Sequence, residues 1–396
     1  LPRGAGSPGA ADPSGAANPR EADPSGAPGR SASASKDFKD RISPAAVQGL
    51  ASDLKAAWPG FPAEAFTTRA NTGLGSLELK ARVVHVADAL AEALPDDFEA
   101  AVAVVRGALD RPGVDGWIVF PVNDWVARFG IDSPEVALPL LGELTSRWTA
   151  EYAVRPFIER HPEVAFAQLH QWTSSDDEHR RRLASEGSRP RLPWASQLRS
   201  LIEDPSPAIA LLDRLVDDRS AYVRKSVANH VNDISKDHPD IAIDTVSGWV
   251  AAEPASEGRR WIASHGLRSL IKAGDPDALR LLGYDPDADL QLDAFRLSPE
   301  TIRLGETVLI EFELTAADRS PVMVDYRIHH AGANGTRSPK VFKLKRTVLE
   351  PGEPTPFRRE HAIREVSVRR IHPGPHLIEV QVNGKVLAGA TVEVLP

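Results

Sequence analysis

His161-Pro-Glu-Val-Ala-Phe-Ala167 and His238-Pro-Asp-Ile-Ala-Ile243 are two readings of one signal. In each, a proline stands at the head of an apolar run. Proline lacks the amide hydrogen that a helix's first turn leaves unpaired, and its φ is already helical, so it suits the first helical position. The signal recurs at Ser133-Pro134, Asp204-Pro205 and Asp275-Pro276, where Ser or Asp can also cap the helix. These five prolines lie 28, 43, 34 and 37 residues apart. Ahead of three of them, Val154-Arg155, Val223-Arg224 and Leu267-Arg268 align. Helix–turn–helix units of that length cannot bury their apolar faces alone and must stack, which predicts an all-α HEAT-like repeat solenoid. Toward the N-terminus, Val47, Leu50, Leu54 and then Leu77, Leu79, Val83, Val86, Leu90 keep the three-and-four spacing of helices. The solenoid is therefore expected over 36–289, with a concave side suited to an elongated partner.

Beyond Asp289 the period changes from helical to two. Val308, Ile310, Phe312 and Leu314 alternate with Glu311 and Glu313. Further strands are predicted at Val322–Ile328, Val341–Val348, Glu365–Ile371, Leu377–Val382 and Ala390–Val394. Turn residues separate them, and Asn383-Gly384 is the strongest two-residue hairpin signal. About seven short strands in residues 290–396 predict an immunoglobulin-like β-sandwich without the disulfide. At the other end, residues 1–35 are almost entirely Ala, Gly, Pro, Ser and scattered charges, and Ala-Asp-Pro-Ser-Gly-Ala occurs twice, from Ala11 and from Ala22. Such a segment cannot bury enough apolar area to offset chain entropy, and a disordered tail is expected. The fold class is thus multidomain, α then β.

Composition removes several function classes. The 396 residues include no cysteine, which excludes disulfides, thiolate zinc sites, iron–sulfur clusters and cysteine nucleophiles. A thiol-free chain suits a reducing interior, and a cytoplasmic site of action is expected. No apolar run approaches the roughly 18–20 residues that span a bilayer, so no membrane partner is expected. The net charge is −8, so a polyanionic partner must be held by a local basic surface. There is no Gly-rich loop ending in Lys-Ser/Thr, no His-Glu-x-x-His and no Gly-x-Ser-x-Gly. His329-His330 and the His372/His376 pair lack an adjacent carboxylate pattern, so neither a metal nor any other cofactor is expected. Trp117, Trp125, Trp148, Trp172, Trp249 and Trp261 read as packing residues.

Three windows of the solenoid carry residues suited to chemistry. Residues 179–199 hold six arginines and one acid, Glu186, with Trp194 following. A solvated charge run is the plainer account. Forked guanidinium donors would also suit phosphates, and a carboxylate among them would be firmly ionised. On the helix Tyr222–Ile234, Val223, Val227, Val231 and Ile234 form the buried stripe, leaving Tyr222, Lys225, Asn229, Asn232 and Asp233 together on the other side. That face is either an exposed polar surface or a contact surface. Trp148-Thr-Ala-Glu151-Tyr152 is predicted to begin a helix in which Glu151 and Arg155 pair at i,i+4.

Ser146-Arg-Trp-Thr-Ala-Glu151-Tyr-Ala-Val-Arg-Pro-Phe157, Arg182-Leu-Ala-Ser-Glu186-Gly-Ser-Arg-Pro-Arg-Leu-Pro-Trp194 and Val223-Arg-Lys-Ser-Val-Ala-Asn-His-Val-Asn-Asp233 resemble the AlkC branch of the HEAT-like DNA glycosylases, and Gly75-Ser-Leu-Glu-Leu-Lys-Ala-Arg82 resembles its N-terminal helices. The resemblance spans roughly 36–396, since one subset of that branch ends in an immunoglobulin-like domain. It implies hydrolysis of the N-glycosidic bond of cationic alkylated bases, N3-methyladenine and 3-methylcytosine, in double-stranded DNA without base flipping, by a monofunctional enzyme acting as a monomer. It further implies that Glu151, Glu186 and Asp233 are the active-site carboxylates and Trp194 the active-site tryptophan, with Arg182 and Arg189 on phosphates. Arg155, Arg224, Lys225, Asn229 and Asn232 are expected to join the DNA grip from the solenoid. His329, His330, Asn334, Arg337 and Lys340 are expected to reach the minor groove from the sandwich. The competing reading is a non-enzymatic scaffold or a binder of DNA structure.

Overall fold

The computed structural model describes residues 38–332, 335–336, 339–365 and 371–396. The expected tail at 1–35 lies outside these residues, as do Asn334, Arg337 and most of the strand expected at 365–371. Sixteen α-helices run between Pro44 and Leu281: α1 Pro44–Ala57, α2 Ala63–Asn71, α3 Leu79–Ala93, α4 Phe98–Ala108, α5 Val119–Phe129, α6 Pro134–Leu144, α7 Arg155–Arg160, α8 Pro162–Trp172, α9 Glu178–Gly187, α10 Arg199–Glu203, α11 Ser206–Leu215, α12 Ala221–Ile234, α13 Pro239–Ala252, α14 Glu257–Gly266, α15 Arg268–Ala273 and α16 Pro276–Leu281. The prolines at 134, 162, 239 and 276 each open a helix, and Pro205 sits at the cap of α11. The expected side-chain caps are sparser. Asp275 accepts the amides of Asp277 and Ala278, whereas Ser133 caps nothing. One continuous apolar core joins the helices from Ile42 to Leu279, with α9, α12 and α14 packed in succession.

The C-terminal part is a sandwich. Its strands are β1 Leu290–Ser298, β2 Thr301–Arg303, β3 Thr307–Ala316, β4 Ser320–His329, β5 Ala331–Gly332, β6 Gly335–Thr336, β7 Lys340–Leu349, β8 Thr355–Ala362, β9 Gly374–Val382 and β10 Lys385–Leu395. One sheet runs β1-β3-β8 and the other β2-β10-β9-β4-β7, with β5-β6 as a small ribbon. All pairs are antiparallel except β2 with β10. A second apolar core, including Ile310, Phe312, Tyr326, Ile378 and Val392, fills the space between the sheets. Alternation predicted the central strands but not β1, β2 and β8. The register of β1 slips between Asp293 and Arg296, and β8 buries only Phe357 among charged residues, as edge strands often do.

The two parts are joined by the predicted Asn383-Gly384 hairpin. Asn383 Oδ1 accepts the Met323 amide at 2.8 Å, and its Nδ2 donates to the Asp285 carbonyl at 2.9 Å, beyond the last helix. Met323 itself, on β4, packs into the helical core rather than the sandwich core. The sandwich is therefore seated on the end of the solenoid by both apolar and polar contacts.

Candidate active site

Three separate backbone segments deliver the candidate acids. The first is a turn. The helix expected to start at Trp148 begins only at Arg155, because Asn123 on α5 donates Nδ2 to the carbonyls of Trp148 and Thr149, both at 3.2 Å, and holds the chain out of helical geometry. Glu151 sits in this turn. The second segment is the last turn of α9, which carries Glu186, and the third is the last turn of α12, which carries Asp233. A helix C-terminus concentrates partial negative charge, so a carboxylate there is unfavourable unless cations hold it. Two guanidiniums do so.

The result is an alternating ladder. Arg182 Nη1 lies 2.5 Å from Glu151 Oε2, and its Nη2 lies 3.5 Å from Glu186 Oε1. Arg189 donates Nη1 to Glu186 Oε1 at 2.6 Å and Nε to Asp233 Oδ2 at 2.8 Å. Lys236, more exposed, ends the series at 3.0 Å from Asp233 Oδ1. Hydroxyls complete it: Thr149 Oγ1 donates to Glu151 Oε2 at 3.0 Å and Ser226 Oγ to Glu186 Oε2 at 2.6 Å. Glu151, Glu186 and Asp233 are 5%, 6% and 1% exposed. Burial alone would raise the Glu186 carboxyl, but Arg182, Arg189 and the Ser226 hydroxyl outweigh it and hold it below the ordinary carboxylate range. Arg182 and Arg189 are held above the ordinary guanidinium range, the carboxylates outweighing burial. Three anions face two buried cations, and Lys236 at the rim balances the third.

This geometry revises several expectations. Glu151 pairs with Arg182 rather than with Arg155. Arg155 is buried, and its guanidinium is spent on the carbonyls of Gly187, Arg189 and Ser196, at 3.0, 2.7 and 2.6 Å. Burial, with the charge of Arg189 next, lowers it to about 10. It is a brace inside the protein, not a phosphate contact. Arg189 is likewise buried between two carboxylates. Asn232 is buried with its Oδ1 accepting from the Ser269 amide and hydroxyl at 3.3 and 2.9 Å, and His330 is buried beside His376 at 3.1 Å. None of these four offers a DNA-facing surface, because a neighbouring element covers each one. Asn229 is half-buried against Arg268, and His329 bonds Glu379 at 2.7 Å. Arg224 donates to the Asp218 carbonyl at 2.6 Å, while Lys225 and Lys340 are exposed.

Trp194 is 59% exposed and takes φ +66°, a left-handed conformation that a bulky side chain rarely adopts. The loop that carries it is held on three sides: Lys80 donates to the Trp194 carbonyl at 2.9 Å, Tyr152 to that of Pro193 at 3.3 Å, and Arg155 to that of Ser196. The indole is thereby presented outward beside the segment that bears Glu151. Thr149, Ser226 and Lys236 escaped the reading of the sequence. Ser226 could have been found, since it lies two turns before Asp233 on the same helix face.

Residues 145–263, which contain the whole ladder, match the family model "DNA alkylation repair enzyme", and 291–396 match "Uncharacterised protein YhaZ, C-terminal Ig-like domain". The uncharacterized protein YhaZ of Bacillus subtilis (strain 168) is 35% identical over 352 residues, 88% of this chain and 97% of YhaZ. Among solved structures, the Pseudomonas fluorescens alkylpurine DNA glycosylase AlkC, bound to DNA containing an abasic site analog, is similar with a TM-score of 0.81 and 36% identity, over 91% of this chain and 99% of that one. No helix among the described residues is long and apolar enough to cross a membrane. A solenoid that matches an alkylation-repair model, a sandwich of the YhaZ type and full-length likeness to both relatives lead to one assignment: the chain belongs to the AlkC family of DNA alkylation-repair proteins, in the subset that ends in an immunoglobulin-like domain.

Proposed function

We propose that this protein is a monofunctional DNA glycosylase that acts as a monomer in the cytoplasm on cationic alkylated bases, N3-methyladenine and 3-methylcytosine, in duplex DNA. The observation that carries the reading is the ladder Glu151–Arg182–Glu186–Arg189–Asp233, three acids from three segments fixed by two arginines. Alkylation at a ring nitrogen leaves the base positively charged, so it departs as a neutral molecule, taking the electrons of the C1′–N bond. No strong general acid is needed. The deoxyribose left behind carries oxocarbenium-like charge at C1′, and water adds there with loss of a proton. Three carboxylates, two of them at helix C-termini and all held in place by their own arginines, stabilise that charge without reorganising during the reaction.

The depth of the acids fits action by field. Asp233, the most buried, would act through charge and by holding Arg189. Glu151 and Glu186, slightly less enclosed, would orient the water. The exposed Trp194 would lie against the sugar or the cationic nucleotide through its π face. Lys236 is an ion-pair partner of Asp233 rather than an amine nucleophile, so no imine should be trapped by borohydride on abasic DNA.

The test is release of methylated bases from alkylated duplex DNA by the purified protein and by Glu186→Gln and Asp233→Asn. These isosteres remove charge but keep the volume, whereas alanine would leave a buried guanidinium unpaired. Each is expected to lower the single-turnover rate by roughly 10²–10³, with binding to DNA carrying an abasic-sugar analogue retained. Normal excision by both variants, or none by the wild type, would refute the reading.

A further inference from the structure

Lys225 and Asn229 precede Asp233 on α12, and beside them lies an arrangement that the acid ladder does not use. Trp125, Trp172 and Trp249 are buried as expected, but Trp261 on α14 is 44% exposed. Its indole lies flat on the imidazole of His265, with ring centroids 4.9 Å apart and planes 7° from parallel. The imidazole is fixed from behind. Asn229 Oδ1 lies 3.3 Å from His265 Nε2, while Arg268 donates to that same oxygen at 3.2 Å and to the His265 carbonyl at 2.6 Å. An oxygen acceptor at Nε2 places the imidazole proton there. Burial, then the charges of Arg268, Lys225 and Lys343, push His265 down to about 4, so the ring is neutral at physiological pH.

Lys225 on α12 and Lys343 on β7 of the sandwich are both exposed, and their charges bear on the imidazole. His265 and Arg268 both meet Asn229, one turn before Asp233, so the plate lies beside the helix that carries the last acid of the ladder. A rigid, uncharged two-ring stack flanked by ammonium groups has the chemistry of a nucleotide seat. Aromatic faces accept any base, and the flanking cations accept phosphates.

We propose that the Trp261–His265 stack is a second DNA contact of this protein, on which a nucleotide neighbouring the lesion, and not the lesion itself, rests, with Lys225 and Lys343 taking nearby phosphates. The proposal rests on the glycosylase reading, and it extends that reading by assigning a DNA contact outside the acid ladder.

The experiment measures binding of the full chain to a duplex containing an abasic-sugar analogue, by fluorescence anisotropy over a range of salt. Trp261→Ala should bind roughly 5- to 100-fold more weakly, the loss of one stacked nucleotide, while Trp261→Phe recovers most of the affinity. Lys343→Gln should reduce the salt slope by about one. The exposed positions of Trp261 and Lys343 leave the fold intact, to be checked by unchanged thermal melting. Trp261→Ala binding within twofold of a wild type that binds and excises would overturn this proposal alone. A wild type that neither binds nor excises would overturn the glycosylase reading and this one with it.

Discussion

His230 sits in the middle of α12, fully buried, with Nδ1 2.9 Å from the Ser185 carbonyl and Nε2 enclosed by protein without a hydrogen-bond partner. A carbonyl facing Nδ1 puts the proton there, so the ring is a neutral donor that ties α12 to α9, the two helices bearing Asp233 and Glu186. Burial pushes it down to about 4 despite the opposing pull of Asp233. The stability consequence has a definite sign. Between about pH 6.5, where an unfolded histidine takes up a proton, and about 4, the unfolded chain binds a proton that the folded chain refuses. Stability therefore falls as pH drops through that window, by roughly 3 kcal/mol from this residue alone. Glu186 behaves differently. Its depressed carboxyl contributes stability that is full above the ordinary carboxylate range and is lost as pH falls from that range to its own lower value. Thermal melting from pH 7 to pH 4 should show the decline, and His230→Gln should flatten it, whereas a decline unchanged in that variant would show that other groups drive it. At this scale the sequence was half legible. Acids and arginines could be picked out by type and motif. Their pairing could not, because Glu151 finds Arg182 across 31 positions of chain rather than Arg155 one turn away.

The elements were more legible because their signals are local. Proline before an apolar run marked the helix starts at 134, 162, 205, 239 and 276, and alternation marked the strands that bury one face. What local signals could not report is how closely two helices approach. Gly266, at the end of α14, faces α12: a Cβ there would lie 2.9 Å from Val231 Cγ1 and 3.3 Å from the Ala228 carbonyl. Val231 is itself buried and has little room to move. Gly266→Ala is thus expected to cost about 1–3 kcal/mol by overpacking and to push α12, with Asp233 and Ser226 on it, away from α9. Gly248, in the interior of α13, meets nothing within 4 Å. Gly248→Ala should instead stabilise by up to about 1 kcal/mol through helix propensity. Differential scanning calorimetry of the pair separates crowding from backbone entropy. Excision should fall in the first variant and hold in the second, and equal melting temperatures in both would contradict the close packing of α12 and α14.

At the scale of the whole molecule, the sequence announced two architectures in series but gave no sign of how firmly they are joined. Gly274, which ends α15, and Gly384, in the β9–β10 hairpin, both have φ +84° and face each other. A Cβ on Gly384 would sit 2.7 Å from the Gly274 carbonyl oxygen, and one on Gly274 would sit 2.6 Å from that of Gly384. Neither backbone can yield without undoing the bonds from Asn383 to Met323 and Asp285. Gly384→Ala therefore meets both a left-handed backbone and a backbone clash, and the relief open to it is for the sandwich to lift from the solenoid. Two melting transitions should replace one, since each part has its own core. The acid ladder lies wholly within the helical part and should survive, but Lys343 would move away with the sandwich, so affinity for abasic-analogue DNA should fall more than the rate of the bound complex. The exposed Lys385–Asp287 pair spans the same junction, yet water and salt screen it, and Lys385→Met should leave melting unchanged. A single transition at the wild-type temperature in Gly384→Ala would mean that the two glycines touch without holding the parts together.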